Sequence, residues 1–418
     1  MDGGLPGSRA ASRDGHARLR LTRESVKDIE RLREALRDRH ASQRAAVDAA
    51  FMTGLCLAGG DPERLVIMSF ALDGNPAGFL VALAEPSSIS ARVGRMSFIT
   101  RRITRMRIPG DRAIVWDENL QPFPLAAREM AVAIRGDGRT VLLVQSVIPG
   151  GRLEQLAAHL GAKAGYNTVL AEGRQERFLS VTDQPYEEYF AGLSSGTRDS
   201  FKYAQRRLAK FMDGDVRHER FERPEDVERF YALAEAVSRQ TYQWQELGMG
   251  MKQREFVLPR LHLAARLGFL RCYVLFCRGE PVAFWESYST GGVFLTYQTG
   301  YLPSLGKYSV GTVLTLAMLR DLLAGGGQRW TIDWLTGSSD YKKRLSTTTV
   351  EEHSLYLLPK RLEWMAFSAS FAASNVLHSL GTRVKTWLQR RRVPAHWLGS
   401  SAPLIQLLDD TTWMTALC

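Results

Sequence analysis

One pattern occurs twice in this chain, and it limits the folds open to it. LVIMSFALDGNPAGFLVALAEP over 65–86 and LRCYVLFCRGEPVAFWESYST over 270–290 each read as strand, tight turn, strand. The turn Asp73-Gly74-Asn75-Pro76-Ala77 matches Arg278-Gly279-Glu280-Pro281-Val282. Glycine supplies the permissive backbone and proline ends the turn before the next strand. Each hairpin is followed by a helical apolar pattern, a glycine-containing stop and a buried β-run: LAAREMAVAIRGDGRTVLLVQSV over 125–147, then TVLTLAMLRDLLAGGGQRWTIDWL over 312–335. The repeated element order implies a duplication, two α/β domains of one topology. A length of 418 residues, at roughly 150 per domain, accommodates it.

The segments around the repeats divide the chain further. Residues 1–24 read as a polar, flexible tail, since MDGGLPGSRAASRDGHARLR has no apolar core of a secretory signal. The divisions expected are this tail, a first domain over 25–178, a second over 179–358 and a helical extension over 359–418. Between the repeats, PYEEYFAGLSSGTRDSFKYAQRRLAKF (185–211) is a basic helical stretch. A second helix is signalled by Pro224, Glu225 and Asp226 ahead of apolar Val227, Phe230, Leu233 and Val237, and a third lies around 253–267. In the extension, Trp364, Phe367, Phe371, Leu377, Leu380, Val384 and Trp387 recur at helical spacing before Arg390, Arg391 and Arg392. Two readings stay open for 361–392: an amphipathic helix docked on the protein, or peripheral contact with a membrane surface.

Composition narrows the partners. Lys and Arg total 55 against 44 Asp and Glu, a net charge of +11 that favours anionic partners: nucleic acid, phosphorylated cofactors or anionic lipid. No apolar run approaches the roughly 20 residues of a membrane span. Cys56, Cys272, Cys277 and Cys418 show no zinc spacing and read as free thiols in a reducing cytoplasm, and the scattered histidines form no HExxH, so no metal is expected. Two apparent motifs fail on context. Gly192-Leu193-Ser194-Ser195-Gly196 fits a nucleophile elbow, but polar helical Tyr186-Glu187-Glu188-Tyr189 precedes it where a buried strand is required. Gly300 to Tyr308 nearly fits a P-loop, but the glycine spacing is one residue long and Tyr308 stands where Ser or Thr would hold magnesium. That segment still leaves a strand and enters a helix, where free backbone N–H groups and the helix dipole can meet an anion.

The second half carries a longer constellation. Lys307-Tyr308-Ser309-Val310-Gly311-Thr312 precedes a long helix, and Asp333-Trp334-Leu335-Thr336-Gly337 is followed by Asp340-Tyr341-Lys342. This resembles the acyl-coenzyme A N-acyltransferase superfamily of GNAT fold, most of all its BioF2-like and CelD-like acetyltransferase branch, relatives of the Fem peptidyltransferases. The family pattern reads (R/K)-Y-S-(P)-G and D-F-x-x-G…Y-K. Val310 here replaces the proline and Trp334 the phenylalanine. The helix bearing Arg198, Lys202, Arg206 and Arg207 resembles the family's basic helix. The resemblance covers about residues 180–350 and makes the first half a degenerate copy. It implies tandem GNAT-like domains of α/β (α+β) class, each a twisted mixed sheet flanked by helices.

It also implies an enzyme that moves an acyl group, acetyl in the first instance, from acyl-coenzyme A to an amine by direct attack. Lys307, Tyr308, Ser309, Gly311 and Thr312 would hold the diphosphate-bearing co-substrate, acyl-coenzyme A (acetyl-coenzyme A). The pantetheine arm would lie between the strands at 294–300 and 330–335. A lysine-type amine has a pKa near 10.4, so freeing its lone pair costs about 4–5 kcal/mol, which a base offsets. Glu286 and Asp333 are the candidate carboxylates, and Tyr341 would protonate the leaving thiolate. Arg198, Lys202 and Lys342 are the candidate substrate-binding residues. Structural roles stand beside each: Asp333 as a turn cap or partner of Lys342 or Lys343, Glu286 facing solvent, Tyr341 as packing, and Lys342, Arg198 and Lys202 as surface charge. The expected partner is a small-molecule or glycan amine of polysaccharide or cell-envelope metabolism, with the protein cytoplasmic or peripheral at the inner membrane. Two alternatives are a Fem-like transferase using aminoacyl-tRNA and a non-catalytic GNAT-fold binding protein.

Overall fold

The computed structural model of the chain describes residues 19–369 except 60, 94–95, 121–122, 135–139, 246–249, 338, 362–363, 366 and 368. The first half runs β1 (Leu19–Arg23), α1 (Ile29–Arg39), α2 (Arg44–Ala58), β2 (Leu65–Leu72), β3 (Asn75–Val93), β4 (Met96–Ile108), β5 (Ile114–Trp116), α3 (Phe123–Ala133), β6 (Thr140–Val147), α4 (Arg152–Lys163) and β7 (Tyr166–Thr182). Two helices follow, α5 (Tyr186–Gly192) and α6 (Ser195–Phe211). The second half repeats the order: β8 (Val216–Phe221), α7 (Val227–Ser238), a short α8 (Tyr242–Gln245), α9 (Arg254–Arg266), β9 (Cys272–Cys277), β10 (Glu280–Thr290), β11 (Val293–Tyr301), α10 (Val310–Leu322), β12 (Trp330–Thr336), α11 (Asp340–Leu345) and β13 (Thr348–Pro359). The expected tail therefore ends early. Leu19 and Leu21 alternate with polar residues, and this stretch pairs antiparallel with β2 from Leu19↔Leu72 to Arg23↔Met68.

The duplication extends to backbone detail. Each hairpin has a two-residue loop with both residues at positive φ: Asp73 (49°) and Gly74 (86°) in the first, Arg278 (52°) and Gly279 (79°) in the second. This is the conformation whose twist suits a two-residue hairpin, and it explains the glycine in each. Pro76 and Pro281 both sit at register shifts, where a missing N–H leaves no ladder bond broken.

Strand order turns the duplication into symmetry. The sheet reads β1-β2-β3-β4-β6-β13-β7-β12-β11-β10-β9-β8, with β5 paired to β3 alone. Read from either end the strands correspond, so the halves are related by a pseudo-two-fold between β13 and β7. Each half surrenders its last strand: β7 pairs with β12, and β13 pairs with β6. The expected boundary at 178/179 thus falls inside one continuous strand.

A buried ion cluster holds this seam. Arg177 on β7 donates from Nη1 to both Asp333 carboxylate oxygens (3.0 and 2.8 Å), from Nε to Glu352 Oε2 (2.5 Å) and from Nη2 to Ser146 Oγ (2.8 Å). Arg112, from the first half, also donates to Asp333. Ser146 (φ 50°) and Leu335 (φ 61°) occupy matching places in β6 and β12, each beside a register shift. The bulges turn the strands so that polar side chains from four of them meet.

In the second half both faces of the sheet are covered. α7 and α9, with α2 of the first half, pack on one face, and α6 and α10 on the other. Of the C-terminal extension, Trp364 and Phe367 are buried against Ile89, Ile103, Val141 and Leu358, as a docked segment requires. The rest of 371–392, with Arg390, Arg391 and Arg392, lies outside the described residues. Among the described residues no helix is long and apolar enough to cross a membrane, and Cys56, Cys272 and Cys277 are free and buried.

Removing the Arg177 guanidinium leaves buried Glu352 without its ion partner and Asp333 with Arg112 alone. Arg177→Met should lower stability by about 3–5 kcal/mol in urea unfolding; a loss below about 1 kcal/mol would contradict the seam's role. Burial alone would raise the Asp333 pKa, but the charges of Arg177 and Arg112 outweigh it and hold it below the usual carboxylate range. Asp333 therefore stabilises the fold above about pH 4 and loses that contribution as pH falls through its depressed value, so Asp333→Asn should flatten the acid limb of the stability profile.

Candidate functional site

β11 and β12 run parallel but stay paired only from Val293↔Thr331 to Leu295↔Asp333. Residues 296–301 of β11 then diverge, leaving a wedge between neighbouring core strands. In the first half the equivalent pair, β4 and β6, stays zipped from Thr104↔Thr140 to Ile108↔Val144, the end of β4. Only the second half opens. A further irregularity marks the same place: β10 and β11 slip register between Glu286 and Ser287, so Tyr297 is the extra residue of a β-bulge in β11. Such bulges free backbone groups and redirect side chains.

The chain leaves β11 through Pro303–Tyr308 and enters α10 at Ser309, which adopts the left-handed conformation (φ 57°, ψ 39°) and does not cap the helix with its side chain. The first three amides of α10, those of Val310, Gly311 and Thr312, find no acceptor among the described residues. A Cβ at Gly311 would meet the Tyr301 ring at 3.5 Å, an ordinary contact, so the position tolerates a small side chain and leaves the amides open. Positive charge surrounds them. The Arg207 guanidinium lies 5.3 Å from the Tyr308 ring centroid, Lys307 Nζ lies 5.1 Å from it, and Phe211 stacks on the same ring at 3.9 Å. Lys307, Arg206, Arg207 and Lys210 are exposed, with no carboxylate partner among the described residues.

The three candidate catalytic residues divide between the two faces. Glu286 is fully buried, not solvent-facing. Its Oε1 accepts from Arg260 Nε (3.0 Å) and Nη2 (2.7 Å) and from the Tyr288 hydroxyl, on the face under α9. Asp333 lies on that face too, since Ile332 and Trp334 on either side pack into the opposite core, and its carboxylate is committed to Arg177 and Arg112. The expected turn cap is present as well, for Asp333 Oδ1 accepts from the Leu335 amide at 3.0 Å. Tyr341 sits on the α10 face, edge-on to Trp285 and Trp334 at 6.2 Å from each. Burial pushes its hydroxyl pKa above the usual tyrosine range, so it holds its proton at neutral pH.

The substrate-binding candidates are also spread. Arg198 donates to the carbonyls of Ala191 (2.8 Å) and Leu193 and so finishes α5. With Lys202, Tyr186, Phe190 and Arg320 it lines a cavity of about 340 Å³. Arg320 lies ten residues along α10 from Val310, about 15 Å from the free amides. Lys342 is buried and donates to the Thr336 carbonyl. Burial pushes its pKa down to about 8, with Arg177 adding to the effect and Asp333 opposing it. Sequence reasoning missed Arg112, Arg177, Arg260 and Gln298. The first three meet their carboxylates only through long-range pairing, and Gln298 gains its position from a bulge that no local signal marks. Among the described residues no group of acidic, histidine or cysteine side chains could hold a metal ion.

Comparison with known proteins places this geometry. Residues 195–343, from α6 into α11, match the model of the acetyltransferase (GNAT) domain family. No curated protein matches the chain. Among solved structures it is similar to FemX, at 10% identity and a TM-score of 0.48 over 73% of this chain and 90% of that one. It is similar to the C-terminal domain of a putative lysylphosphatidylglycerol synthetase from Agrobacterium fabrum, at 14% identity and a TM-score of 0.45 over 82% and 97%. It is also similar to a tandem GNAT protein from the clavulanic acid biosynthesis pathway, at 11% identity and a TM-score of 0.41 over 81% and 98%.

Lys342 gives a pH signature. With a folded-state pKa of about 8 and an unfolded value near 10.4, the folded protein binds this proton less tightly than the unfolded chain. Stability should therefore rise as pH increases from about 8 to 10, and that rise should be absent in Lys342→Met. Urea midpoints measured across this range for both proteins decide it; parallel profiles would show that Lys342 titrates normally.

Proposed function

We propose that the protein is an N-acyltransferase that moves an acyl group, acetyl in the first instance, from acyl-coenzyme A to an amine of a small molecule or glycan. The observation that carries this reading is the wedge between β11 and β12, opening beside three uncommitted amides at the start of α10. The amides of Val310, Gly311 and Thr312, with the helix dipole behind them, suit a diphosphate. Exposed Lys307 and Arg207 beside Tyr308 add charge of the right sign. The gap past Leu295 has the form an extended arm needs. The thioester supplies the activated carbonyl when acyl-coenzyme A is bound, and backbone N–H groups of the strand 294–300 would polarise its oxygen.

In this reading Tyr341, protonated and on the α10 face, supplies a proton to the departing thiolate. Glu286 accepts the proton lost by the attacking amine through its second carboxylate oxygen. Asp333 serves as the anchor of the seam and not as a base, because two guanidinium groups already claim its oxygens. Lys342, held between Thr336 and the Asp333–Arg177 pair, fixes the loop after β12 at the mouth of the wedge. The basic outer face of α6 favours a second reading, a donor carried on tRNA. Binding of that kind would weaken steeply with salt.

A pair of substitutions at one position tests the donor site. Gly311→Ala adds a methyl group at ordinary contact distance and should leave acetyl-coenzyme A affinity within about threefold by calorimetry. Gly311→Asp puts a negative charge on the same amides and should weaken binding at least a hundredfold, about 2.7 kcal/mol. Equal affinity in the two variants, or no binding by the unsubstituted protein, would contradict the reading.

A further inference from the structure

Three helices of the second half enclose the cavity of about 340 Å³. α5 gives it Tyr186, Glu187 and Phe190, α6 gives Arg198 and Lys202, and α10 gives Arg320. Its apolar wall is firm: Tyr186 and Phe190 are buried and stacked, with ring centroids 5.6 Å apart. Arg198 and Lys202 stand four residues apart on α6 and so share a face of that helix. Two of the three walls, α5 and α6, lie between the halves, outside the duplicated order.

Charge is out of balance in this cavity. Three cationic side chains meet one carboxylate, and that contact is at the limit of an ion pair, with Arg320 Nε 4.0 Å from Glu187 Oε1. The Arg320 guanidinium instead lies over the Tyr186 ring, 4.8 Å from its centroid. Arg198 is fixed by donating through Nη1 to the carbonyls of Ala191 (2.8 Å) and Leu193, and its Nε and Nη2 have no acceptor among the described residues. Lys202 is exposed and has no acceptor among them either. A concave surface of one sign concentrates ions of the other. The lining holds two positive charges in excess, which suits a dianion better than a carboxylate. A phosphate monoester carries about −1.5 to −2 charges at neutral pH, and the two rings offer its organic part an apolar contact. The volume lies at the small end of the range for ligand pockets, roughly 300–1,000 Å³.

We propose that this cavity binds a small phosphate monoester, with Arg198, Lys202 and Arg320 on the phosphate and Tyr186 and Phe190 against the organic part. The site is separate from the start of α10, since Arg320 lies about 15 Å along the helix from the free amides. It shares both helices with them, for α6 also carries Arg207 and α10 begins with Val310. The proposal goes beyond acyl transfer and stands whether or not the protein binds acyl-coenzyme A.

Calorimetry with phenyl phosphate tests the site, with inorganic phosphate and benzyl alcohol as partial probes. Phenyl phosphate should bind at least tenfold more tightly than either. Lys202→Glu should weaken it at least tenfold, whereas Lys163→Glu, the same charge change at an exposed position on α4, should leave it within twofold. Both side chains are exposed, so neither substitution disturbs the core. Three results overturn the proposal: no binding of phenyl phosphate, equal affinity for inorganic phosphate, and an equal loss in the two variants, which would trace the attraction to net charge alone. Saturating acetyl-coenzyme A separates this claim from the donor reading. One equivalent of phenyl phosphate should still bind in its presence, and displacement would overturn the proposal by making the cavity part of the donor site. A protein that binds phenyl phosphate but no acetyl-coenzyme A would remove the donor reading alone.

Discussion

The contact between Arg177 and its two carboxylates is the constraint on which the rest of this structure depends. Arg177 stands where the halves exchange their last strands, and it joins Asp333 on β12 to Glu352 on β13. Desolvating these charges is costly, and only the full set of hydrogen bonds from both carboxylates and Ser146 offsets it. The same contacts fix the orientation of β12 at Asp333, the last residue paired with β11. The seam and the opening are two ends of one geometry: where β12 turns aside to meet Arg177, it leaves β11 unpaired.

Symmetry sharpens that point. The two halves share element order, hairpin loops and the parallel strand pair, yet β4 stays paired with β6 to its end while β11 parts from β12 six residues before its own. The charge around the corresponding helix starts differs as well. Asp117 and Glu118 precede α3, while Lys307 precedes α10 and Arg207 approaches from α6. The two copies thus differ: the strand pair of the first stays closed and that of the second opens, with Lys307 and Arg207 beside the opening.

Much of this was legible in the sequence because it depends on neighbours. Asp73-Gly74 and Arg278-Gly279 mark two-residue hairpins by the conformations their residues tolerate, and the run from Lys307 to Thr312 marks a strand-to-helix turn. The exchange of β7 and β13 was not legible, since a strand's apolar pattern does not say which strand lies beside it. Arg177 and Glu352 are separated by 175 positions. Nor could pattern alone settle which way Glu286 faces, because a one-residue shift reverses every side chain, and a shift occurs directly after it. The tail was overextended for a related reason: five residues of weak alternation become a strand only when β2 supplies the partner edge.

The central claim is that the second half presents free main-chain amides beside an open strand pair to an acyl-carrying diphosphate. Native mass spectrometry of the intact protein incubated with acetyl-coenzyme A measures it directly. One equivalent should be retained per chain. No equivalent retained, or two, would contradict it, the first by removing the site and the second by giving the closed half the same capacity.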